Sequence, residues 1–414
     1  MGKFFKFLAI ILLLAVTAGG AVIGIEYKEL PDTLYVTEGT SLGLERTLPV
    51  VITDGSGAMA AAAHANNNSE RNYDSMYKLA GIVPIKPVNV QIVKERKVIP
   101  CGTPFGIKIF TDGVMIVGTA PVPTKSGARN PATEAGLQEG DVIEAVNGIN
   151  VYKTEVVADI IEQSTGEPIE VSVRREKEHK EFTFRAVQSE DGSYKAGMWI
   201  RDSSAGIGTM TYIDPETGAF GGLGHGICDV DTGKLVPISQ GEIVGVALTG
   251  VSKSASGAPG ELKGYLDTET IGRLCLNNEM GVYGLITAQD DKRYSQKQYT
   301  VAMKQEVREG KAQIIATIPG EEPAYYDIVI DKVNYDEKSK SKNLVVKVTD
   351  SKLLKATGGI VQGMSGSPII QNGKFIGAVT HVFVNNPALG YGIFAENMLK
   401  NNNNIQNQAI NTAS

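Results

Sequence analysis

Cysteine and histidine are both scarce in this chain of 414 residues. The three cysteines, Cys101, Cys228 and Cys275, are an odd number, lie far apart and form no Cys-x-x-Cys pair. They therefore predict neither a disulfide framework nor a structural zinc site. Cys228 follows His225 by three residues, but two ligands do not make a metal site. We expect no metal and no cofactor.

The chain also has no large excess of positive or negative charge. The formal net charge is −6 at pH 7, with 21% charged and 42% hydrophobic residues. This composition is typical of a globular protein and gives no reason to expect a nucleic-acid partner. A chain of this length is expected to form two or three domains. Its 47 glycines and many alternations of Val, Ile and Thr favour β structure.

One apolar run stands at the amino terminus. Residues 7–25 carry no charge, follow Lys3 and Lys6, and are closed by Glu26. This length just reaches the roughly 20 residues that span a bilayer, and basic residues on its amino side keep that end in the cytoplasm. The small residues at 17–21 could instead form a signal-peptidase site. Residues 1–29 are therefore predicted to be a membrane anchor or a cleaved signal, and either one exports the rest of the chain.

Residues 30–100 are predicted to form a small β region. Its strand-like runs are 33–36, 49–53 and 88–93. The region is interrupted at 55–72 by an insert rich in Ala and Asn, with little to bury, which we interpret as a loop or linker. An exposed linker just outside a membrane is also a place where a protease could cut its own chain.

Three short motifs in the next segment resemble a PDZ domain, over residues 101–190. They are Asn-Pro-Ala-Thr-Glu-Ala-Gly-Leu at 130–137, Gly-Asp-Val-Ile at 140–143 and Val-Asn-Gly at 146–148. The resemblance places Phe105, Gly106 and Ile107 in the loop that holds a peptide carboxylate, and a helix at 156–163 beside the groove. Such a groove adds a guest strand to a sheet edge. We expect it to bind a peptide segment, including one of this chain itself; the alternative is a PDZ fold that serves only as a spacer.

Residues 191–400 combine short strand-like runs with glycine-rich turns, which predicts a β-barrel or sandwich. Within them, the sequence Gly-Met-Ser-Gly-Ser-Pro at 363–368 predicts a serine nucleophile, Ser365, in its own oxyanion hole. Glycines at 363 and 366 allow the tight backbone that directs amides into one small space. Pro368 argues against a following helix, and an Asn-Gly turn predicts a hairpin instead. The tail at 401–414 is predicted to be disordered.

A serine nucleophile needs a base, and the chain has four histidines. His64 lies in the Ala/Asn insert and His179 in a charged run, so both are expected at the surface. His225 lies among glycines in Gly-Gly-Leu-Gly-His-Gly, where backbone and substrate can approach the ring closely. His381 follows the Asn-Gly hairpin and is expected to face the substrate; as the base, it is the alternative to His225.

An orienting carboxylate would hold the base in the correct tautomer. Asp350 precedes Ser365 by fifteen residues, but it could equally cap a short helix at 351–356. Asp229 and Asp231 are nearer to His225 in sequence, in a setting typical of a turn. Spacing alone does not choose among them.

Taken together, these motifs resemble the SpoIVB peptidases, the stage IV sporulation serine proteases of spore-forming bacteria. The similarity covers nearly the whole chain, and its most specific parts are Leu-Gly-His-Gly at 223–226 and the run from Thr357 to Ile370. It implies a mainly β protein: an amino-terminal hydrophobic helix, a PDZ domain, and a trypsin-like double β-barrel serine protease domain. Its site residues would be the nucleophile Ser365, the base His225, the orienting acid Asp350, the oxyanion donors Gly363 and Ser365, and the substrate-pairing strand at Thr380 and His381.

The resemblance also implies a biological role. Such enzymes are exported into the space between forespore and mother cell, initially anchored in the membrane, and cleave themselves. They also cleave the ectodomain of a membrane-anchored regulatory protein, which activates sigma-factor processing. Two other readings are a quality-control protease of the HtrA type, whose PDZ domains follow rather than precede the protease domain, and a non-catalytic anchored PDZ receptor.

Overall fold

A computed structural model describes residues 17, 20, 23, 24 and 27 and the ranges 30–37, 50–53, 72–238, 240–287, 296–336 and 338–402. The described part is mainly β, as predicted. Most of the predicted anchor or signal (1–29), nearly all of the predicted insert (55–72) and residues 403–414 lie outside it. In the part of the chain that is described, no helix has both the length and the apolar character needed to span a bilayer.

Four strands form a sheet of their own: β1 (Thr33–Thr37), β2 (Val50–Thr53), β3 (Asn72–Leu79) and β4 (Val83–Val93). Their order is β1-β4-β3-β2, and β1 runs parallel to β4. Burial alternates along β1, so Leu34 and Val36 point to one face and pack with Tyr77 and Val90. The three strands predicted between residues 30 and 100 are confirmed.

The described residues from 97 to 300 contain fourteen strands and two helices. In chain order they are β5 (Lys97–Pro100), β6 (Pro104–Thr119), α1 (Pro131–Ala135), β7 (Val142–Val146), β8 (Ile149–Asn150), α2 (Thr154–Gln163), β9 (Pro168–Arg175), β10 (Glu178–Arg185), β11 (Val187–Gln188), β12 (Tyr194–Lys195), β13 (Met198–Ile213), β14 (Ala219–Gly222), β15 (Gln240–Ser252), β16 (Glu261–Asn278), β17 (Gly281–Ile286) and β18 (Tyr299–Thr300).

Six of these strands close a first barrel in the order β6-β15-β16-β17-β14-β13, because β13 pairs with β6 as well as with β14. Phe105, Ile107, Phe220 and Ile243 are buried together in its core. The strands β6 and β13 are both sixteen residues long and continue beyond the barrel. Everything from α1 to β12 lies between them in sequence, with its own core around Ile143. The PDZ unit is therefore an insertion between two strands of the first barrel.

This arrangement corrects the predicted peptide-binding loop at Phe105, Gly106 and Ile107. These residues lie in the barrel part of β6, and Gly106 and Ile107 have partners in both β13 and β15. Phe105 and Ile107 are buried, so the segment has neither a free edge nor free amides for a peptide carboxylate. The predicted start of the PDZ domain at residue 101 moves accordingly, because the barrel strand runs into the PDZ unit without a break.

The second barrel follows. Its elements are β19 (Gly310–Ala316), β20 (Ala324–Val333), β21 (Leu344–Val348), α3 (Ser351–Thr357), β22 (Pro368–Gln371), β23 (Lys374–Phe383) and β24 (Asn386–Phe394). The six strands close in the order β19-β20-β21-β24-β23-β22 around a core that includes Ile314, Ile328 and Val346. Asn372 and Gly373 form the predicted turn between β22 and β23, both with positive φ. The predicted double β-barrel is present.

Candidate active site

A cleft of about 640 Å³ is lined by residues of both barrels. The first barrel contributes His225, which follows β14, and the second contributes Gly363, Ser365, Thr380 and His381. Every predicted member of the catalytic site except Asp350 therefore borders one cavity, although the two key side chains are 140 residues apart in sequence.

Two glycines with positive φ shape the loop that carries Ser365: Gly363 at +94° and Gly366 at +98°. A Cβ on Gly366 would overlap the carbonyl oxygen of Thr209 and lie 2.6 Å from the backbone nitrogen of Leu223, so no larger residue fits. Thr209, on β13, anchors the loop to the first barrel. Its N–H donates to the carbonyl oxygen of Ser365 at 3.0 Å, and its hydroxyl donates to that of Gly363 at 2.6 Å.

The same loop presents backbone donors. Met364 donates its N–H to Val361, and Gly366 donates its own to Val379. By contrast, the N–H groups of Gly363 and Ser365 have no acceptor among the described residues. Two free amides on one tight turn are what the stabilisation of a developing oxyanion requires. The loop thus keeps the predicted oxyanion donors available.

The hydroxyl of Ser365 donates to the carbonyl oxygen of Thr380 at 2.6 Å. Thr380 lies in β23, within the predicted substrate-pairing strand. The predicted nucleophile is therefore held by the second barrel in this state, and attack on a carbonyl by this hydroxyl would require that hydrogen bond to break. Catalytic hydrogen bonds in unliganded sites often form only when substrate is present.

His225 is held in the tautomer that a general base needs. Its Nδ1 lies 2.9 Å from the carbonyl oxygen of Gly226; since a carbonyl only accepts, Nδ1 carries the proton and Nε2 keeps its lone pair. The ring is positioned by Leu223 and Gly224, whose φ angles are +65° and +70°. Burial lowers the pKa of His225 below its usual value, and the hydrogen bond to Gly226 opposes that shift.

His381 lies against His225, with ring centroids 4.6 Å apart and planes inclined by 35°. Burial, followed by the charges of His225 and Lys342, lowers the pKa of His381 to about 4. Its Nδ1 is buried and has no hydrogen-bond partner within the described residues. His381 is therefore a neutral ring packed on His225, and such a weak base is poorly suited to accept a serine proton near neutral pH.

The structure places Asp350 away from the cleft. Its carboxylate caps α3 by accepting the N–H of Leu353 at 2.9 Å, and it also accepts the N–H of Asp327 at 3.5 Å. Among the described residues Asp350 makes no hydrogen bond to His225, and its carboxylate instead caps α3. The alternative reading, a helix cap, describes what is seen.

Asp229 does line the cleft, but its carboxylate is fully engaged. It pairs with Arg201 and accepts the N–H groups of Asp231 and Thr232 at 3.1 and 3.0 Å. Burial raises its pKa, but those hydrogen bonds and the Arg201 charge outweigh burial and hold the pKa below its usual value. Asp231 also pairs with Arg201, at 2.8 Å. The carbonyl of Gly226, and neither aspartate, is the observed acceptor for the His225 ring.

Sequence reasoning missed a side chain that holds the loop after His225. The amide of Asn277, on β16, accepts the N–H of Ile227 at 2.8 Å and donates to the carbonyl oxygens of Ile227 and Val236, both at 2.9 Å. Asn277 is buried, so these three bonds fix both ends of the loop. A single asparagine in a strand gives no sequence signal for such a role.

Among the described residues, no group of three or more His, Cys, Asp or Glu side chains is placed so that it could hold a metal ion. Cys228 lines the cleft and is exposed and free; Cys101 is buried, and Cys275 is partly exposed. The cleft thus brings together a serine hydroxyl, two imidazole rings, a free thiol and two backbone amides that have no acceptor among the described residues.

A second cavity, of about 600 Å³, lies in the PDZ unit. One wall is the carboxyl-terminal half of α2, including Ala158 and Glu162. The other is the run from Tyr194 to Ile200, which comprises β12 and the start of β13. There β13 pairs with β6 on one side only, so its other edge faces α2. Trp199 borders this cavity and is 66% exposed. A strand edge beside a helix is the arrangement into which a PDZ domain takes an extended peptide.

Comparisons with known proteins agree with this geometry. The PDZ domain model matches residues 125–175, inside the inserted unit. Among solved structures, the PDZ domain of an SdrC-like protein from Listeria monocytogenes is 17% identical and covers 22% of this chain and 90% of its own, with a TM-score of 0.19, too low to support a structural argument. No curated protein sequence matches the chain.

The SpoIVB peptidase S55 model matches residues 192–399, half of the chain, including the cleft residues from both barrels. The chain therefore belongs to the SpoIVB peptidase S55 family, whose members are serine peptidases that hydrolyse peptide bonds.

Proposed function

We propose that Ser365 is the nucleophile, that His225 is its general base, and that the N–H groups of Gly363 and Ser365 form the oxyanion hole. The observation that carries this proposal is that one cleft brings together Ser365 and a histidine whose Nδ1 is tied to a carbonyl. That bond leaves Nε2 as the basic atom, and the two amides are free.

The reaction proceeds in two steps. Nε2 of His225 takes the proton of the Ser365 hydroxyl while the Oγ atom of Ser365 bonds to the substrate carbonyl carbon. The tetrahedral oxyanion rests on the two amides, the C–N bond breaks, and His225 gives its proton to the leaving amine. Water then attacks the acyl-enzyme, His225 takes the water's proton, and the carboxylic product leaves as the proton returns to Ser365.

A fluorophosphonate probe tests the assignment directly, because it reacts only with an activated serine. We expect labelling of one residue, Ser365, in the full-length protein. Ser365→Ala should lower turnover by about 10⁶ without affecting folding. Ser367→Ala is the matched control: this neighbouring hydroxyl is buried and has no partner in the described residues, so both labelling and activity should persist. Labelling retained in Ser365→Ala would overturn the assignment.

We also propose that the enzyme acts in sporulation signalling, as an exported and initially membrane-anchored protease. Family membership supports this role, and the basic, apolar amino terminus supports export. The substrates would be this chain itself and the ectodomain of a membrane-anchored regulatory protein in the space between forespore and mother cell. Sporulating cells that carry only the Ser365→Ala protein should accumulate full-length enzyme and unprocessed sigma factor. Normal processing in those cells would refute the role.

For the PDZ unit, we propose that a peptide binds between α2 and the edge of β13 at Met198–Ile200, in place of the site predicted at Phe105. Trp199 is the single tryptophan of the chain, so its fluorescence reports on this groove. We expect a peptide spanning residues 55–72 to shift that emission. Ala158→Phe, which fills the cavity, should abolish the shift, and Val156→Phe, on the same helix but outside the cavity lining, should not. An unchanged titration in Ala158→Phe would exclude the groove.

A further inference from the structure

One wall of the catalytic cleft is an unpaired strand edge. In β13 the run Ser203–Ile207 pairs with β6 on one side. The pairings with β14 and β5 begin only at Met210 and Tyr212, and no other described strand covers the run. All five of its residues, rather than alternate ones, line the cleft. A strand face presents every second residue, so consecutive lining means that the edge itself faces the cavity.

We propose that this edge, Ser203–Ile207, pairs with the extended substrate segment on the leaving-group side of the scissile bond. The proposal rests on the assignment of Ser365 as nucleophile. We take the predicted substrate-pairing strand at Thr380 and His381 to hold the acyl side of the substrate. The edge of β13 lines the same cleft from the first barrel, and it is then the wall left for the leaving-group side. The edge leads directly to the nucleophile, because Thr209, two residues beyond it, bonds to the carbonyl oxygen of Ser365.

The residue types along the edge suit main-chain pairing with a substrate segment. Exposed edges are normally protected by charged side chains, proline or bulges. Between Ser203 and Ile207 there are two serines, an alanine and a glycine, and neither a charge nor a proline. A Cβ built on Gly206 would meet no atom within 4 Å, so there is open space beside it. Main-chain pairing of this kind gives affinity with little dependence on the guest's sequence.

The occupant is a polypeptide, because the family hydrolyses peptide bonds. At about 3.4 Å per residue, five residues of edge accommodate roughly 17 Å of extended substrate. In antiparallel pairing only alternate residues of the guest exchange hydrogen bonds with the edge. The proposal therefore predicts both a length limit and an alternation along the substrate.

Internally quenched peptides with a fixed acyl side and one to eight residues after the scissile bond test the limit. We expect kcat/KM to rise until about five residues are present and then to level off. In the longest peptide, N-methylation of single amides should lower kcat/KM about three- to tenfold at alternate positions and leave the positions between them unchanged. A rate independent of length, or losses without alternation, would overturn the proposal.

A protein variant gives an independent test. Gly206→Val places a branched side chain in the cleft and should abolish the length dependence. Gly250→Val is the matched control, since a Cβ at this β15 glycine also meets no atom within 4 Å, and Gly250 lies outside the cleft lining. Fluorophosphonate labelling is measured in parallel. Absence of labelling at Ser365 would refute its assignment as the nucleophile. Normal labelling together with an unchanged length dependence in Gly206→Val would refute only the proposed pairing of substrate with the edge.

Discussion

Thr209 of the first barrel and Ser365 of the second are joined backbone to backbone, with Thr209 N donating to the Ser365 carbonyl oxygen at 3.0 Å. The Thr209 hydroxyl adds a bond to Gly363. One residue thus holds both ends of the segment that carries the oxyanion donors. A strand of the first barrel thus holds the loop of the second barrel that carries the proposed nucleophile.

Thr209→Val removes the hydroxyl but keeps the shape of the side chain. The carbonyl of Gly363 then loses a donor, and we expect kcat to fall about tenfold through a less ordered oxyanion hole. The free energy of unfolding should fall by about 1 kcal/mol. Steady-state kinetics and urea unfolding measure the two effects.

Thr211→Val is the matched control on the same strand. The hydroxyl of Thr211 is buried and has no partner among the described residues. Removing it should leave kcat unchanged and should not destabilise the fold, since an unsatisfied group is lost. Equal losses of kcat in both variants would mean that the hydroxyl of Thr209 has no special role.

Asp350 offers a second test, which separates a cap from a catalytic acid. Asparagine caps a helix about as well as aspartate, so Asp350→Asn should change kcat by less than tenfold. Asp350→Ala loses the cap and should destabilise the protein by about 1 kcal/mol. A loss of about 10⁴ in kcat for Asp350→Asn would instead show that this carboxylate reaches His225 in the catalytic state.

Sequence alone identified the two cleft residues that stand in local motifs. Ser365 and His225 were singled out because each stands in a glycine-rich turn, and both line the cleft, while their catalytic roles stay predictions. Thr209 and Asn277 were not predictable, because their roles depend on which strands face the two loops. Phe105 was misassigned because a short apolar run with one glycine, at the start of the segment that resembles a PDZ domain, suits a barrel strand as well as a carboxylate-binding loop.

The pH dependence of kcat/KM follows from the two histidines. A general base must be neutral, and burial lowers the pKa of His225. The rate should therefore rise with pH and reach half its maximum below about 6.5, the ordinary pKa of histidine.

His381→Phe keeps a ring against His225 and removes a group that is already uncharged above about pH 4. We expect this variant to stay active with a similar acid limb. Complete loss of activity would instead identify His381 as the base.

Arg201 connects the PDZ end of β13 to the loop after His225, through Asp229 and Asp231. Asp229 is buried, so Arg201→Met leaves a carboxylate without its cation, which is costlier than losing both partners. We expect Arg201→Met to lower both the free energy of unfolding and kcat, and Arg201→Met combined with Asp229→Asn to recover part of each. Urea unfolding and kinetics on the four proteins give the coupling energy, expected at about 1–3 kcal/mol. Additive effects would mean that the pair contributes nothing to the loop.

Arg174→Met is the control, because its carboxylate partner, Glu144, lies within the PDZ unit and away from the cleft lining. This variant should leave kcat unchanged.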